Sequence, residues 1–512
     1  MFKNKLITGI CLVTFALSCT PEKLNKTNPN ELFPDNFYKN ASELTKAVNS
    51  VYAMIQSNSL VSREYFFLHD LRSDDVATGG GQLETPRNQL LIGAQAPDNS
   101  VGAEVWNGCF RTIFRANTVI EYAPNAVDFS STTVQRLVGE AKFLRAWAYM
   151  ELVTLWGGVP MPLGVPTSTT STLARSSEAE VYTQIKKDLT EAQVALPLKY
   201  SGSELGRATQ GAAQMLLARA YMNQGDYTNA KGELQKMINS GTYSLQNIKY
   251  ADNFREENEW NNESVFEIGF SSIGEVNWLG DGDDPSWGNQ EGTTRTQEYS
   301  ATGWRNLIPS NTLIAEFEST FKGDPKTDPR RTVSFWVIGD KYNNSANTLA
   351  DGQVQGNTST YDGNTTKVSW AKYTLQYKSD PGGYKIGGIN HRVMRFADAV
   401  LMMAECENEL GNSAAAIARL NETRNRADVM MPNYPTARYP CGNKEETFAA
   451  VRHERRVELS GEQVRNRDLL RWLKNGKITA GPIAGFKPLL PIPQAEIDNN
   501  DKLEQKDQNP GY

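Results

Sequence analysis

The feature that most constrains the fold is a spacing that occurs twice. Ala218, Tyr221, Gly225, Ala230 and Leu234 sit at relative offsets of 0, 3, 7, 12 and 16. Ala404, Glu407, Gly411, Ala416 and Leu420 repeat those offsets 186 residues later. This is tetratricopeptide spacing. Small residues at offsets 0 and 12 let two antiparallel helices approach closely. Glycine at offset 7 ends the first helix in a left-handed turn. Leucine at offset 16 fills the groove between them. Two unrelated hairpins sharing small residues are the alternative. Such units bury their apolar faces only by stacking, so further helical pairs are expected around these two.

Helical period extends well beyond the repeat. Leu137, Ala141, Leu144, Ala148, Leu152 and Leu155 recur every three or four residues as a buried stripe, which Gly157-Gly158-Val159-Pro160 stops. Other helices are expected from Ser42 (as N-cap) to Gln56, Glu104 to Ala123 and Ser177 to Ala195, with Trp106 in the core. Asp70 to Ser100, with Gly79-Gly80-Gly81, reads as loop. Residues 239–388 are rich in Gly, Asn, Asp, Thr and aromatics and lose the helical period. Strand-like pieces are expected there at Ser264 to Phe270 and Arg331 to Ile338, and one helix at Thr312 to Phe317. The fold class is therefore mainly α: a tetratricopeptide-like helical superhelix with a long irregular insertion containing short strands. The scaffold reads as 31–238 and 389–512, the insertion as 239–388, with 31–512 one unit.

The N-terminus sets the compartment. Lys3 and Lys5 precede an apolar run of 12 residues, Leu6 to Leu17, then Ser18 and Cys19. The run is too short to span a bilayer and reads as a secretory signal over 1–18. With Ala16-Leu17-Ser18-Cys19 it looks like a bacterial lipoprotein signal, with Cys19 the lipidated residue and 19–30 a tether. An ordinary signal that leaves Cys19 a plain thiol is the alternative. The formal charge of -6 argues against nucleic acid as a partner, because phosphate binding needs a basic face. Cys109, Cys406 and Cys441 form neither a disulfide framework nor a zinc site, and are isolated thiols or one pair and a thiol.

Several stretches, in order along the chain, resemble the SusD/RagB family of outer-membrane nutrient-binding lipoproteins of Bacteroidetes. They are Glu140-Ala-Lys-Phe-Leu-Arg-Ala-Trp-Ala-Tyr-Met with Leu155-Trp-Gly-Gly-Val-Pro-Met-Pro-Leu163, Arg219-Ala-Tyr-Met with Gly225-Asp-Tyr, and Arg395-Phe-Ala-Asp-Ala-Val-Leu-Met-Met-Ala-Glu405 with Leu420-Asn-Glu-Thr-Arg-Asn-Arg-Ala427. Glu454-Arg-Arg-Val-Glu-Leu459 with Arg465-Asn-Arg-Asp-Leu-Leu-Arg-Trp472, and Leu490-Pro-Ile-Pro493 with Gln508-Asn-Pro-Gly-Tyr512, complete the set. Gln463 stands where the family pattern has Gly, read as a local capping detail. The resemblance implies a glycan-binding lipoprotein that caps a SusC-like TonB-dependent transporter, captures oligosaccharides and opens to hand them over. It implies attachment to the cell outer membrane and no enzyme activity. A peptide cargo, as in the RagB branch, is the first alternative. A protein-binding tetratricopeptide scaffold and a hydrolase are the others.

Asp398, Glu405, Glu454, Arg455, Glu458, Arg465, Asp468 and Arg471 look catalytic in a list. At helical spacing they read as ion pairs three or four residues apart. Only His69, His391 and His453 are present. The zinc pattern that His453-Glu454 begins fails at Val457. No cofactor or metal is indicated; Asp281-Gly-Asp-Asp284 reads as a solvated turn, with calcium as the alternative.

Tryptophans are the informative residues. Trp260, Trp278, Trp287 and Trp304 cluster in the insertion, where no helical stripe requires core aromatics. A sugar presents a flat C–H face that stacks on indole, while Asn, Asp and Arg bind hydroxyls. Trp278, Trp287, Tyr299 and Trp304, flanked by Gly, Asn and Asp, are the candidate platforms; pinning the insertion onto the helices is the alternative. By resemblance, Arg72-Ser-Asp-Asp75 forms the second wall, with Asp75 a ligand-binding candidate and Arg72 and Asp74 on vicinal hydroxyls, or Asp74 as a turn cap.

Overall fold

The computed structural model describes residues 37–166, 168, 172–273, 291–317, 328–380 and 384–512. The signal, Cys19, Trp278, Trp287 and Asp281 to Asp284 lie outside them.

In chain order the first helices are α1 (Ala41–Gln56), α2 (Glu64–Leu71), α3 (Thr85–Ile92), α4 (Ser100–Tyr122), α5 (Thr132–Trp156), α6 (Glu178–Ala195), α7 (Gln210–Asn223) and α8 (Tyr227–Asn239). Single turns α9 (Arg295–Tyr299), α10 (Asn311–Ile314) and α11 (Arg331–Ser334) lie in the insertion. They are followed by α12 (Phe396–Glu409), α13 (Ser413–Arg424), α14 (Lys444–Leu459), α15 (Arg465–Lys474) and α16 (Gln494–Asn499). Caps define the starts. Asn40, not Ser42, caps α1, its side chain accepting from the Glu43 N–H. Asn99 caps α4 four residues earlier than the apolar stripe suggests. Ser177 and Glu180 close a reciprocal capping box on α6.

The spacing repeat folds as it reads. α7 packs on α8 and α12 on α13, and α8 lies against α12, so the copies are neighbours although residues 240–395 separate them. Gly225 and Gly411 are left-handed, with φ of 73° and 84°. Ala218, Ala230, Leu234, Ala404, Ala416 and Leu420 are fully buried. Glu407, where the first copy has Tyr221, pairs with Lys231 of the other hairpin at 2.9 Å. The row extends through α1, α4, α5 and α6 on one side and α14 on the other. The main core spans α1 to α8 and α12; a second fills the space among α12 to α15. Cys109, Cys406 and Cys441 are buried free thiols. No helix among the described residues is long and apolar enough to cross a membrane.

Among the described residues, ten strands form five two-stranded antiparallel ribbons. β1 (Val76–Thr78) pairs with β3 (Leu307–Pro309). β2 (Ser264–Ile268) pairs with β10 (His391–Arg395), so a ribbon closes the ends of the insertion. β4 (Phe335–Val337) pairs with β9 (Val368–Trp370), β5 (Lys341–Tyr342) with β6 (Asn347–Thr348), and β7 (Ser359–Tyr361) with β8 (Asn364–Thr366). The strand expected over Arg331 to Ile338 begins as the turn α11 and becomes β4 only at Phe335. The stretch Asp70 to Ser100, expected as loop, holds β1 and α3; α3 carries Pro86 in its first turn and ends at left-handed Gly93.

The charged residues of α14 and α15 are structural, but their partners are distant. Among the pairs of the described residues, Arg471–Asp468 is local. Arg455 bridges Asp398 and Asp468, Arg219 also holds Asp398, and Arg471 holds Glu405. A second network ties the insertion to α14. Arg330, Lys372, Arg395, Arg424 and Arg426 balance Glu263, Asp328, Glu454, Glu458 and Glu462, all buried.

These pairs set the acid limit of the fold. Burial by itself raises the carboxyls of Glu151 and Glu263. Arg467 and His69 beside Glu151, and Arg426 and Arg395 beside Glu263, overcome it and hold each at about 2. Both lie below the unfolded value of ~4.3. Their stabilisation is therefore complete above pH ~4.5 and is lost as pH falls toward 2, roughly 3 kcal/mol per group. Circular dichroism is expected to show unfolding in that window; a signal unchanged down to pH 2.5 would contradict it.

Candidate functional site

The ribbon β1–β3 places the candidate site. Its register sets Val76 opposite Pro309 and Thr78 opposite Leu307. Asp74 and Asp75 lie at one end and Trp304 just beyond the other, with the three paired residues between them spanning about 10 Å. At the Trp304 end three segments converge. A Cβ at Gly79 would overlap the Arg305 carbonyl, and one at Gly356 the Gly79 carbonyl. Only glycine permits such close packing of main chains. Gln82 donates to the Trp304 carbonyl, and Asn357 reaches the carbonyls of Gly79 through its main chain and of Thr78 (3.1 Å) through its side chain.

Arg305 fixes this junction. It is buried, in left-handed conformation with φ of 51°. It donates to Ser369 Oγ (2.8 Å), to the carbonyls of Val368 (3.0 Å) and Asn357 (3.2 Å), and to that of Gln355. No carboxylate pairs with it among the described residues, and burial lowers its pKa to about 10.

On this base Trp304 and Tyr384 meet edge to face, ring centroids 5.9 Å apart. Tyr384 is 66% exposed. Asp380, exposed beside them, accepts from Thr302 Oγ1 (3.3 Å), Tyr342 (3.1 Å) and Lys385 Nζ (3.3 Å). Across the glycine loop lies a groove of about 430 Å³ lined by Thr78, Leu91, Ile308, Asn311, Asn357 and Thr358, among others. The surface thus offers aromatic rings, a carboxylate acceptor, hydroxyls and side-chain amides.

The other expected residues are placed differently. Arg72 is turned inward, donating to the carbonyls of Lys487 (3.0 Å) and Pro488 (2.8 Å), with its guanidinium 4.9 Å from the Phe486 ring. Asp74 receives a two-pronged contact from Arg465 at 2.6 and 2.9 Å. Burial pushes its carboxyl up, but Arg465 and Arg456 outweigh that and hold it well below the usual range. Asp75 is buried and accepts from Arg456 at 2.8 Å. Tyr299 is fully buried rather than an exposed platform: its hydroxyl donates to Asp70 and its ring packs on Phe66 and Trp370. Gln463 does more than cap. It is left-handed (φ 59°), which suits the expected glycine, and its side chain joins Asp70 to Arg295. The three histidines are buried, His69 against Glu151, His391 against Arg295 and His453 against Glu316.

Sequence reading missed Tyr384, Gln82, Asp380 and Arg305. Tyr384 follows Pro381-Gly382-Gly383, the flanking pattern that singled out the tryptophans; extending that criterion to tyrosines finds it. Nothing local marks Arg305.

Comparison with known proteins supplies the context. Residues 262–487 match the model of the SusD family, and residues 24–222 a family described as starch-binding, associating with outer membrane. A SusD-like protein of Formosa agariphila is 26% identical, covering 99% of each chain. The starch-binding protein SusD of Bacteroides thetaiotaomicron is 23% identical over 73% of this chain and 72% of its own. Among solved structures, a surface glycan-binding protein A of Bacteroides thetaiotaomicron in complex with laminarihexaose aligns with a TM-score of 0.69 at 21% identity, over 90% of this chain and 98% of that one.

Proposed function

This chain belongs to the SusD family, and from that premise we propose that it is an outer-membrane lipoprotein, anchored through Cys19, that binds oligosaccharides at the cell surface without cleaving them and passes them to a SusC-like TonB-dependent transporter. The observation that carries the reading is the Trp304–Tyr384 pair, with Asp380 and the amides of Gln82 and Asn357 around it. Ring faces hold the C–H side of a pyranose while the polar groups exchange hydrogen bonds with its hydroxyls. A glycan is a string of such units, and the groove beside the rings gives the next one a place to lie. The names of the matched relatives, starch-binding in one case and laminarihexaose-bound in another, support the same cargo class. In this reading Trp278 and Trp287 add further ring contacts. Arg72, Asp74 and Asp75 shape the wall from behind, since their charges are engaged within the protein.

Calorimetric titration with starch and β-glucan oligosaccharides, beside a panel of peptides, tests the cargo. At least one glycan series is expected to bind. Trp304→Ala and Tyr384→Ala are each expected to weaken it about 10- to 100-fold, as loss of ~1.5–3 kcal/mol of ring contact implies. Binding by peptides alone would overturn the reading. Co-purification of the transporter with the membrane-extracted protein tests the hand-over.

A further inference from the structure

A second aromatic recess lies outside the site above, on the other flank of the β2–β10 ribbon, where the segment joining α6 to α7 meets the start of β2. It is lined by Leu198, Lys199, Tyr200, Leu205, Tyr243, Trp260 and Asn262, among others. Four observations set it apart from ordinary surface. First, three large apolar side chains that the fold leaves exposed, Leu198, Leu205 and Trp260, converge on this one recess. Second, Trp260 is left-handed, with φ of 49°, a conformation a bulky side chain holds only where its surroundings enforce it. Its N–H donates to buried Glu267 at 3.2 Å, and Gly206 (φ 91°) lies so close that a Cβ there would stand 3.3 Å from the indole nitrogen. Third, the indole N–H of Trp260 has no acceptor among the described residues, and neither has the side-chain N–H₂ of Asn262. Fourth, Lys199 donates to Asn262 Oδ1 at 3.3 Å and forms no ion pair among the described residues.

The charge around the recess is otherwise neutralised. Glu267 is paired with Arg392 at 3.1 Å, and Glu140 and Glu204 are each held by Arg136 and Arg207. Tyr200 donates to Glu140, and Tyr243 is bonded to Thr209. What remains is a ring, two aliphatic side chains and three donors, one of them cationic. That set fits a ligand with a flat apolar face and a negative charge at its edge. The recess, about 60 Å³, has room for about four waters, enough for part of one ring and its charged group but not for a chain.

We infer that this recess binds a single acidic glycosyl residue, a hexuronate, with its ring on Trp260 and its carboxylate received by Lys199, Asn262 and the indole N–H. The inference rests on the glycan reading above and gives it a second, charge-selective contact for the same class of cargo.

The test uses the mature protein, a disaccharide ending in a hexuronic acid, and the same disaccharide with its carboxyl reduced to an alcohol. The acidic form is expected to bind at least 10-fold more tightly than the reduced one. Trp260→Phe and Lys199→Gln are each expected to weaken it 5-fold or more. In ¹⁵N spectra the Trp260 indole signal, identified by its loss in Trp260→Phe, is expected to shift on addition of the acidic disaccharide. Lys199 is exposed, so its variant keeps the fold even if Trp260→Phe melts. Equal binding of the two disaccharides, or an indole signal that does not move, would overturn the inference. If neutral glycans bind through Trp304 and the acidic disaccharide does not use Trp260, this inference alone falls. If no glycan binds and peptides do, the glycan reading falls with it.

Discussion

Glu458→Ala is expected to leave little folded protein at 37 °C. Glu458 is fully buried on α14. Its Oε1 accepts from Arg395 (2.8 Å) and Arg426 (3.1 Å), and its Oε2 from Arg330 (2.7 Å). Those three guanidiniums come from the end of β10, the turn after α13 and the insertion, so one carboxylate gathers segments far apart in the sequence. The network stands at five cations against five carboxylates; deletion leaves an uncompensated charge with no water to take it. Removing one partner of a buried ion pair typically costs 3–5 kcal/mol, against a whole-protein stability of ~5–15 kcal/mol. Glu458→Gln keeps the side-chain volume and one accepting oxygen and is expected to lose less. Thermal melting by circular dichroism decides. An alanine variant melting within two degrees of the parent would show that the network can open to solvent.

Arg305→Ala is expected to abolish measurable binding at the Trp304 site although Arg305 touches no ligand in this reading. Its guanidinium reaches three carbonyls and a hydroxyl that converge from two directions. Without it those acceptors are buried and unmatched, at ~1–3 kcal/mol each. The segment 355–357 would then move away from Gly79, carrying the wall of the groove with it. Trp304, the adjacent residue, loses its base. A loss of about 100-fold or more in glycan affinity is expected, with faster amide exchange confined to residues near 79, 305 and 356. Arg305→Lys should restore little, because an ammonium cannot serve four separated acceptors in one plane. Undiminished affinity in Arg305→Ala would remove the residue from its positioning role.

Both residues mark where sequence reading stops. The charged residues of α14 and α15 were legible as structural, because three- and four-residue spacing on a helix is a poor arrangement for catalysis and a good one for pairing. Their partners were not legible: Glu458 pairs across 32, 63 and 128 residues. The aromatic candidates show the same limit. Tyr299 and Trp304 share a polar, glycine-flanked stretch, yet Tyr299 is fully buried on Asp70 while Trp304 stands with the exposed Tyr384. Arg72, read as a ligand contact, binds the main chain of residues 487 and 488. The helix α3 escaped because only Arg87 and Leu90 are buried on it, too few to set a period.

The sequence by itself determined the paired helices, their left-handed stops at Gly225 and Gly411, and the family, since each depends on residues within a few turns of one another. The tertiary structure decided which charges neutralise which and which rings face solvent. Burial and ion pairing depend on what the rest of the chain brings alongside a residue, and that neighbour comes from tens to hundreds of positions away.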